Sequence, residues 1–240
     1  MSAKFLDGKN AVVTGGTRGI GRAIARGLLE AGASVAICSS RQQSIDEAIA
    51  DLRASGPVFG MTADVSQIGH VRAFAAAVAQ KLGSVNILVN NAGIGIFRGA
   101  AEISPEEWNR VIGLNLSGVY YCCHEFLPMM RKAGAGDVLN ISSLAGKNAF
   151  AGGSAYNASK FGLNGFAEAL MLDYRNEGIR VTTIMPGSVD TAFGGEHGSG
   201  SNWKIAPDDI AETVVSVLRI PRRTTISEIH IRPSMPPAKH

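Results

Sequence analysis

Tyr156 and Lys160 form the pair whose residue types and spacing most suggest chemistry in this 240-residue chain. The two lie four positions apart in a segment predicted to be helical, so their side chains share one face of the helix. A tyrosine hydroxyl has an ordinary pKa of about 10, and a neighbouring ammonium favours its phenolate form. The neutral hydroxyl can instead donate its proton to a forming alkoxide. Because most Tyr-x3-Lys pairs are solvated helix surface, the pair indicates acid–base catalysis only in combination with other features.

Ser143 and Asn115 are further candidates for the same site. Ser143 closes the segment Asn140-Ile141-Ser142-Ser143 at the end of a predicted strand, where parallel sheets bind ligands. Asn115 lies among apolar residues in Gly113-Leu114-Asn115-Leu116, within a predicted helix. A buried amide is destabilising unless it is hydrogen-bonded, so Asn115 is either part of the site or a core asparagine that bonds the next strand.

A glycine-rich turn, Thr14-Gly15-Gly16-Thr17-Arg18-Gly19-Ile20-Gly21, joins the first predicted strand to the first predicted helix. Glycines spaced in this way let the backbone approach a phosphate, and the helix N-terminus adds N–H groups and a partial positive charge. The spacing is Gly-x3-Gly-x-Gly, and its place between a strand and a helix favours a nucleotide-binding turn over a purely structural one.

The segment after the second predicted strand indicates which dinucleotide binds. A carboxylate about 20 residues past the glycines would bind the ribose 2′-hydroxyl of NAD, but no acidic residue lies between Ala31 and Ile45. Ser39 lies at that position. Arg41, helped by Arg18, could pair with a 2′-phosphate, and the less favoured alternative is that both arginines are solvated surface charges. The sequence therefore favours NADP(H).

Two more segments follow predicted strands. Asp64 and Val65 follow the third strand, where a side chain could reach an adenine, although Asp64 could equally stabilise a turn or a helix start. Asn90-Asn91-Ala92-Gly93 ends the fourth strand, and its small residues permit close approach of a ligand.

Short apolar segments alternate with longer amphipathic ones along the chain, which predicts a parallel sheet with helices on both faces. Strands are predicted over residues 10–14, 34–38, 58–62, 86–89, 138–142, 180–185 and 226–231. The helix starts follow from capping patterns: Ser44 with Glu47, Ser66, and Ser104-Pro105-Glu106-Glu107, the last opening a helix that reaches Lys132.

The rest of the chain adds two long helices and one loop. Helices are predicted over residues 154–177 and 207–218. A glycine- and serine-rich loop is predicted over residues 192–203, and His197 within it is interpreted as an exposed loop histidine.

Composition narrows the class of protein. A chain of 240 residues with 45% hydrophobic and 18% charged residues fits one α/β domain (1–240) and excludes intrinsic disorder. A net charge of +3 is too mild to indicate nucleic-acid binding, and three cysteines without ligand spacing indicate a reducing compartment and no metal. Neither a signal peptide nor an apolar run of membrane-spanning length is found, so a cytoplasmic protein without a membrane partner is expected.

Taken together, these motifs resemble the short-chain dehydrogenase/reductase family over essentially the whole chain. The resemblance is carried, in the order of that family, by the glycine turn, Asn90-Asn91-Ala92-Gly93, Asn115, Ser143, Tyr156-x3-Lys160 and Pro186-Gly187. It implies a single doubly wound α/β Rossmann domain with seven parallel strands in the order 3-2-1-4-5-6-7. It also implies a homotetramer with contacts through the helices over 104–132 and 154–177.

The resemblance further implies roles for individual residues. Tyr156 would be the acid–base group, Ser143 would orient the carbonyl, Lys160 would bind the nicotinamide ribose and lower the Tyr156 pKa, and Asn115 would support a water relay. Thr191 would contact the carboxamide. The full set of implied or predicted cofactor-binding residues is Gly15, Thr17, Arg18, Gly19, Ile20, Gly21, Ser39, Arg41, Asp64, Val65, Asn91, Ala92, Gly93, Tyr156, Lys160, Pro186, Gly187, Val189 and Thr191.

The implied activity is NADPH-dependent reduction of a ketone or aldehyde to an alcohol. The chain is similar to 3-oxoacyl-carrier-protein reductases and related carbonyl reductases, but its 192–203 loop and its ending after residue 231 differ from theirs and speak against an acyl-carrier substrate. Phe97, Phe150, Phe193 and Trp203 could wall a substrate cleft. The alternatives are an NAD-dependent alcohol or sugar dehydrogenase and a non-catalytic NADP(H)-binding sensor or scaffold.

Overall fold

Seven parallel strands form one sheet in the computed structural model of the protein, which describes residues 4–193 and 202–236. The strands are β1 (Asn10–Thr14), β2 (Ser34–Ser39), β3 (Val58–Thr62), β4 (Ile87–Asn90), β5 (Gly136–Ile141), β6 (Ile179–Pro186) and β7 (Glu228–Ile231). Their order is β3-β2-β1-β4-β5-β6-β7, as predicted. The chain therefore changes direction across the sheet between β1 and β4, and such switch points are where doubly wound sheets bind ligands.

Helices cover both faces of the sheet, which confirms the predicted fold class. They are α1 (Gly19–Glu30), α2 (Gln42–Leu52), α3 (Ile68–Leu82), α4 (Pro105–Ile112), α5 (Gly118–Lys132), α6 (Ser154–Tyr174) and α7 (Pro207–Arg219). Alternating side chains of β1 point to opposite faces: Val13 joins the core beneath α1, α2 and α7, whereas Val12 joins the core beneath α3, α5 and α6. Strands buried on both faces in this way carry the near-continuous apolar runs seen in the sequence.

The capping predictions have mixed outcomes. Ser104 accepts a hydrogen bond from the Glu107 backbone (3.2 Å) and Glu107 accepts one from the Ser104 backbone (3.2 Å), which confirms that capping box. The Ser44 prediction is wrong, because α2 begins two residues earlier and Glu47 bonds to a neighbouring glutamine instead. The Ser66 prediction is also wrong, because its backbone N–H and its hydroxyl both donate to Asp64 in a turn.

The long helix predicted to end at Lys132 is interrupted. Residues Gly113–Ser117 form one π-helical turn between α4 and α5, and this turn contains Asn115. A π-turn widens the helix by one residue and is frequent at functional sites. The interruption thus re-aims the side chain of Asn115.

The loop predicted over residues 192–203, with His197, lies mostly outside the described residues. Within residues 4–193 and 202–236, none of the helices combines the length and apolarity needed to cross a bilayer.

Candidate active site

Tyr156, Lys160 and Ser143 meet at the C-terminal edge of the sheet. Ser143 lies close enough to the Tyr156 hydroxyl to lower the pKa of that group, and its Oγ accepts a hydrogen bond from the Ala145 backbone at 3.1 Å. The Lys160 ammonium donates to the carbonyl of Ile141, the last residue of β5, at 3.0 Å. Its Nζ lies 5.7 Å from the centroid of the Tyr156 ring. The first turns of α6 therefore place both side chains where the sequence predicted, beside a serine held by its own turn.

Burial governs the pKa values of this pair. It raises the pKa of Tyr156, an effect that the hydrogen bond with Ser143 only partly opposes. It lowers the pKa of Lys160 from 10.5 to about 8. Burial therefore outweighs any lowering of the Tyr156 pKa by Lys160, because the phenolate loses its hydration and the ammonium is itself desolvated. The lowering effect of Lys160 stays a prediction. At neutral pH the Tyr156 hydroxyl is held in the protonated form, which can donate a proton.

Asn115 lies behind the site and not in its wall. Its carbonyl oxygen accepts from the Ile94 backbone at 2.9 Å, and its amide donates to the Ile94 carbonyl at 2.9 Å and to the Ser159 hydroxyl at 3.1 Å. It thus ties the segment after β4 to α6, one residue from Lys160. Its partners are a loop backbone and a helix side chain, so it is not a core asparagine that bonds the next strand.

The glycine turn is shaped for close approach of a ligand. Gly15 (φ +63°) and Gly19 (φ +52°) both lie in the left-handed region, and a Cβ on Gly15 would come within 3.0 Å of the Ala92 Cα. The N-cap residue of α1, Arg18, makes no side-chain capping bond, so the first N–H groups of the helix have neither an intrahelical nor a capping partner. This open cradle at a helix N-terminus fits a pyrophosphate.

Asn91 holds the glycine turn in place. Its amide donates to the carbonyls of Thr14 (3.0 Å) and Gly15 (3.2 Å). In return, the Thr14 hydroxyl accepts from the backbones of Asn91 (3.0 Å) and Ala92 (3.1 Å). The ends of β1 and β4 are joined in this way at the switch point.

One cleft of about 470 Å³ connects the glycine turn to Tyr156, and its volume lies in the range of small-molecule sites. Its walls include these predicted residues: Gly15, Thr17, Arg18, Gly19, Ile20, Gly21, Ser39, Asp64, Val65, Asn91, Ala92, Gly93, Ser143, Tyr156, Lys160, Pro186, Gly187, Val189 and Thr191. Asp64 lines the cleft while one of its carboxylate oxygens accepts from Ser66, so it has the turn role as well. Arg41 is exposed at the start of α2 and does not line the cleft.

Sequence reasoning missed several residues of the cleft wall. Arg110 and Leu114 line it from α4 and the π-turn, and Ser66, Ile94 and Ala192 line it from loops. The four-residue spacing of Arg110 and Leu114, just before Asn115, is the signal that could have found them.

Comparisons with known proteins agree with this geometry. Residues 9–201 match the model of the family described as short chain dehydrogenase. The chain is 35% identical over 239 residues to a glycine betaine reductase of Emericella nidulans, covering 95% of this chain but only 19% of that much longer protein. It is 35% identical over 190 residues to a 3alpha-hydroxysteroid dehydrogenase of Mediterraneibacter gnavus, covering 78% of this chain and 76% of that protein.

A solved structure gives the same fold. The alcohol dehydrogenase of the archaeon Thermococcus sibiricus, complexed with 5-hydroxy-NADP, superimposes with a TM-score of 0.90 at 30% identity, covering 97% of this chain and 99% of that one. The seven-stranded parallel sheet with helices on both faces accords with this match. The chain belongs to the short-chain dehydrogenase family of oxidoreductases.

Proposed function

We propose that this protein is an NADPH-dependent oxidoreductase that reduces a ketone or an aldehyde to the alcohol. The observation that carries the proposal is the grouping of Tyr156, Ser143 and Lys160 in the same cleft as a helix N-terminus without a side-chain cap. Electrostatic positioning of this kind is what a protein contributes when a cofactor carries the reactive group.

Each residue of the site has a separate role in the proposed reaction. A bound NADPH supplies the hydride. Ser143, whose oxygen is fixed by the Ala145 backbone, donates to the substrate oxygen and orients it. Tyr156, protonated because burial raises its pKa, gives its proton to the developing alkoxide. The Lys160 ammonium stabilises the resulting phenolate and holds the nicotinamide ribose, and Asn115 keeps α6 in register with the segment after β4.

NADPH is proposed over NADH from the charges at the far end of the cleft. Ser39 and Ser40 line it where a carboxylate would repel a 2′-phosphate, and Arg18 lines it from the glycine turn. Arg41 follows Ser40 directly and is exposed, so its guanidinium can pair with a 2′-phosphate bound beside Ser40. The archaeal relative was solved with an NADP derivative, which supports the same choice.

A kinetic screen with both reduced cofactors tests the proposal. Loss of NADPH absorbance is expected with at least one ketone or aldehyde of a broad panel, and NADH is expected to support a much lower kcat/KM. Tight NADPH binding without turnover of any compound would instead identify a sensor or scaffold. Equal or better rates with NADH would favour the NAD-dependent dehydrogenase.

We also propose that the active protein is a homotetramer. The helices expected to form its contacts carry large apolar side chains on their exposed surfaces, namely Trp108, Tyr120, Phe161 and Leu172. Exposed apolar patches of this kind mark protein interfaces. Analytical ultracentrifugation should give the mass of four chains, and a monomer mass would refute this.

A further inference from the structure

Three phenylalanine side chains form an aromatic wall beside Tyr156: Phe193 lines the cleft, and Phe97 and Phe150 continue the wall outside its lining. Building on the proposed reductase function, we infer that the preferred substrates carry the carbonyl next to an aryl or similarly flat apolar group, which packs against this wall. The aromatic wall is defined as Phe97, Phe150 and Phe193.

The aromatic wall is in direct contact with the acid–base residue. The ring centroid of Tyr156 lies 5.5 Å from that of Phe97, in an edge-to-face arrangement at 80°, and 5.7 Å from that of Phe193. Phe150 extends the wall, since its centroid lies 5.7 Å from that of Phe97. A carbonyl that bonds Tyr156 would therefore have Phe97 and Phe193 as near neighbours.

The rings of the aromatic wall are held apart from the hydrophobic core. Phe97, Phe150 and Phe193 are 47%, 44% and 40% exposed, respectively. Exposure of three neighbouring aromatic rings leaves apolar surface in water unless a ligand covers it. A flat apolar ligand would bury that surface and add aromatic contacts of the edge-to-face or offset type.

Hydrogen bonds fix the segments that carry the wall. Asn157 donates to the carbonyl of Phe150 at 3.0 Å, and the Phe193 backbone donates to the Thr191 hydroxyl at 3.3 Å. A backbone bridge joins Arg98, the neighbour of Phe97, to Gly153, the residue before α6. The wall is thus anchored to the same helix that carries Tyr156.

Gly95 lets two rings of the wall pack directly on the backbone. A Cβ at this position would lie 2.6 Å from a ring atom of Phe97 and 2.8 Å from a ring atom of Phe193, so any larger residue would displace them. The charge closest in sequence, Arg98, is engaged by Glu107 at 3.1 Å. The wall therefore presents ring surface and favours an apolar group over a charged one.

The test compares acetophenone with 2-butanone under saturating NADPH. The wild-type protein is expected to show a kcat/KM at least about tenfold higher for acetophenone, from burial of the phenyl group against the wall. Phe97→Ala should lower kcat/KM for acetophenone about tenfold and for 2-butanone by less than about twofold. Because the ratio between the two ketones is compared across variants, their different intrinsic reactivities cancel.

Two further variants control the test. Phe5→Ala removes a phenylalanine of similar exposure (42%) that contacts Arg219 and not the cleft, and should leave both ketones unaffected. Phe97→Leu retains apolar bulk without a ring and should fall between wild type and Phe97→Ala. Melting temperatures within a few degrees of wild type would show that each variant is folded.

The outcomes separate this inference from the proposed function. If Phe97→Ala lowers kcat/KM equally for both ketones, the substrate inference is overturned while the reductase proposal stands. If no ketone or aldehyde causes the wild type to consume NADPH, the substrate inference and the reductase proposal fail together.

Discussion

Two buried cations at opposite edges of the sheet have different surroundings. Lys160 lies at the C-terminal edge, at the end of β5, and is 5% exposed. Arg180 lies at the N-terminal edge, near the start of β6, and is 7% exposed. Both carry a positive charge into the interior, where an uncompensated charge is strongly destabilising.

Arg180 is fully compensated. Its guanidinium binds Asp137 at 2.7 Å and donates to the carbonyls of Ile220 (2.8 Å) and Thr224 (3.2 Å). Arg222 binds the second oxygen of the same carboxylate at 2.6 Å. The strand register, which places Asp137 opposite Arg180, makes this network part of the sheet itself.

Lys160 has far less compensation. It donates to one carbonyl, and no carboxylate pairs with it anywhere in residues 4–193 or 202–236. The shift of its pKa from 10.5 to about 8 corresponds to about 3 kcal/mol against the charged form. The N-terminal edge is thus arranged for stability, whereas the C-terminal edge holds a destabilising charge at the residue proposed to take part in catalysis.

The largest stability effect is expected at the compensated cation. Arg180→Met leaves Asp137 with one exposed partner and the carbonyls of Ile220, Pro221 and Thr224 without their donor, so the free energy of unfolding should fall by about 3–5 kcal/mol. NADPH affinity should not change. Urea denaturation and NADPH titration measure the two quantities, with Arg175→Met, an exposed arginine at the end of α6, as the matched control. A loss below about 1 kcal/mol would remove the contrast between the two edges.

Replacing Lys160, the uncompensated cation, should instead increase the free energy of unfolding. Lys160→Met replaces a buried ammonium by an apolar side chain of similar length, and should raise the free energy of unfolding at pH 7 by about 1–3 kcal/mol. Turnover should be lost in the same variant. Destabilisation in urea comparable to that of Arg180→Met would show that Lys160 is a structural cation like Arg180.

The pH dependence of stability sharpens this point. Between pH 8 and 10.5 the unfolded chain retains the Lys160 proton while the folded protein has lost it, so the wild type should gain stability as the pH rises. The gap between wild type and Lys160→Met should therefore close over this range. In parallel, kcat/KM for reduction should fall above pH of about 8, as Lys160 loses its charge. A stability gap independent of pH would mean that Lys160 is not the titrating group.

The smallest effect is expected from replacing Arg41, an exposed cation near the C-terminal edge of the sheet. Arg41→Ala should weaken NADPH binding about tenfold, the value of one charge-assisted hydrogen bond, and leave NADH binding unchanged. Arg53→Ala, at the other end of α2, is the matched control. Equal losses for both cofactors, measured by fluorescence titration, would contradict a role in binding the 2′-phosphate.

The strands, the glycine turn and the Tyr156–Lys160–Ser143 group could be predicted because each depends on a local pattern. Features that depend on contacts between distant segments of the chain could not be predicted from the sequence. The π-turn around Asn115 has no signature in composition, and the failure of Ser66 as a cap depends on its bonds with Asp64. The raised pKa of Tyr156 depends on burial by several segments, which no spacing reveals.

The same limit applies to the two cations. Lys160 was identified from its spacing to Tyr156, whereas the pairing of Arg180 with Asp137 requires the register between β5 and β6. The three rings of the aromatic wall come from three separate segments, so their convergence on Tyr156 became evident only in the fold.

We propose that the buried Tyr156 hydroxyl donates the proton in carbonyl reduction. Tyr156→Phe removes that hydroxyl alone, and turnover should fall by about 10²–10⁴-fold while the Kd for NADPH stays within about twofold of wild type. Tyr174→Phe removes a hydroxyl from the far end of α6 and should leave both quantities unchanged. A Tyr156→Phe variant that reduces ketones at the wild-type rate would contradict the account.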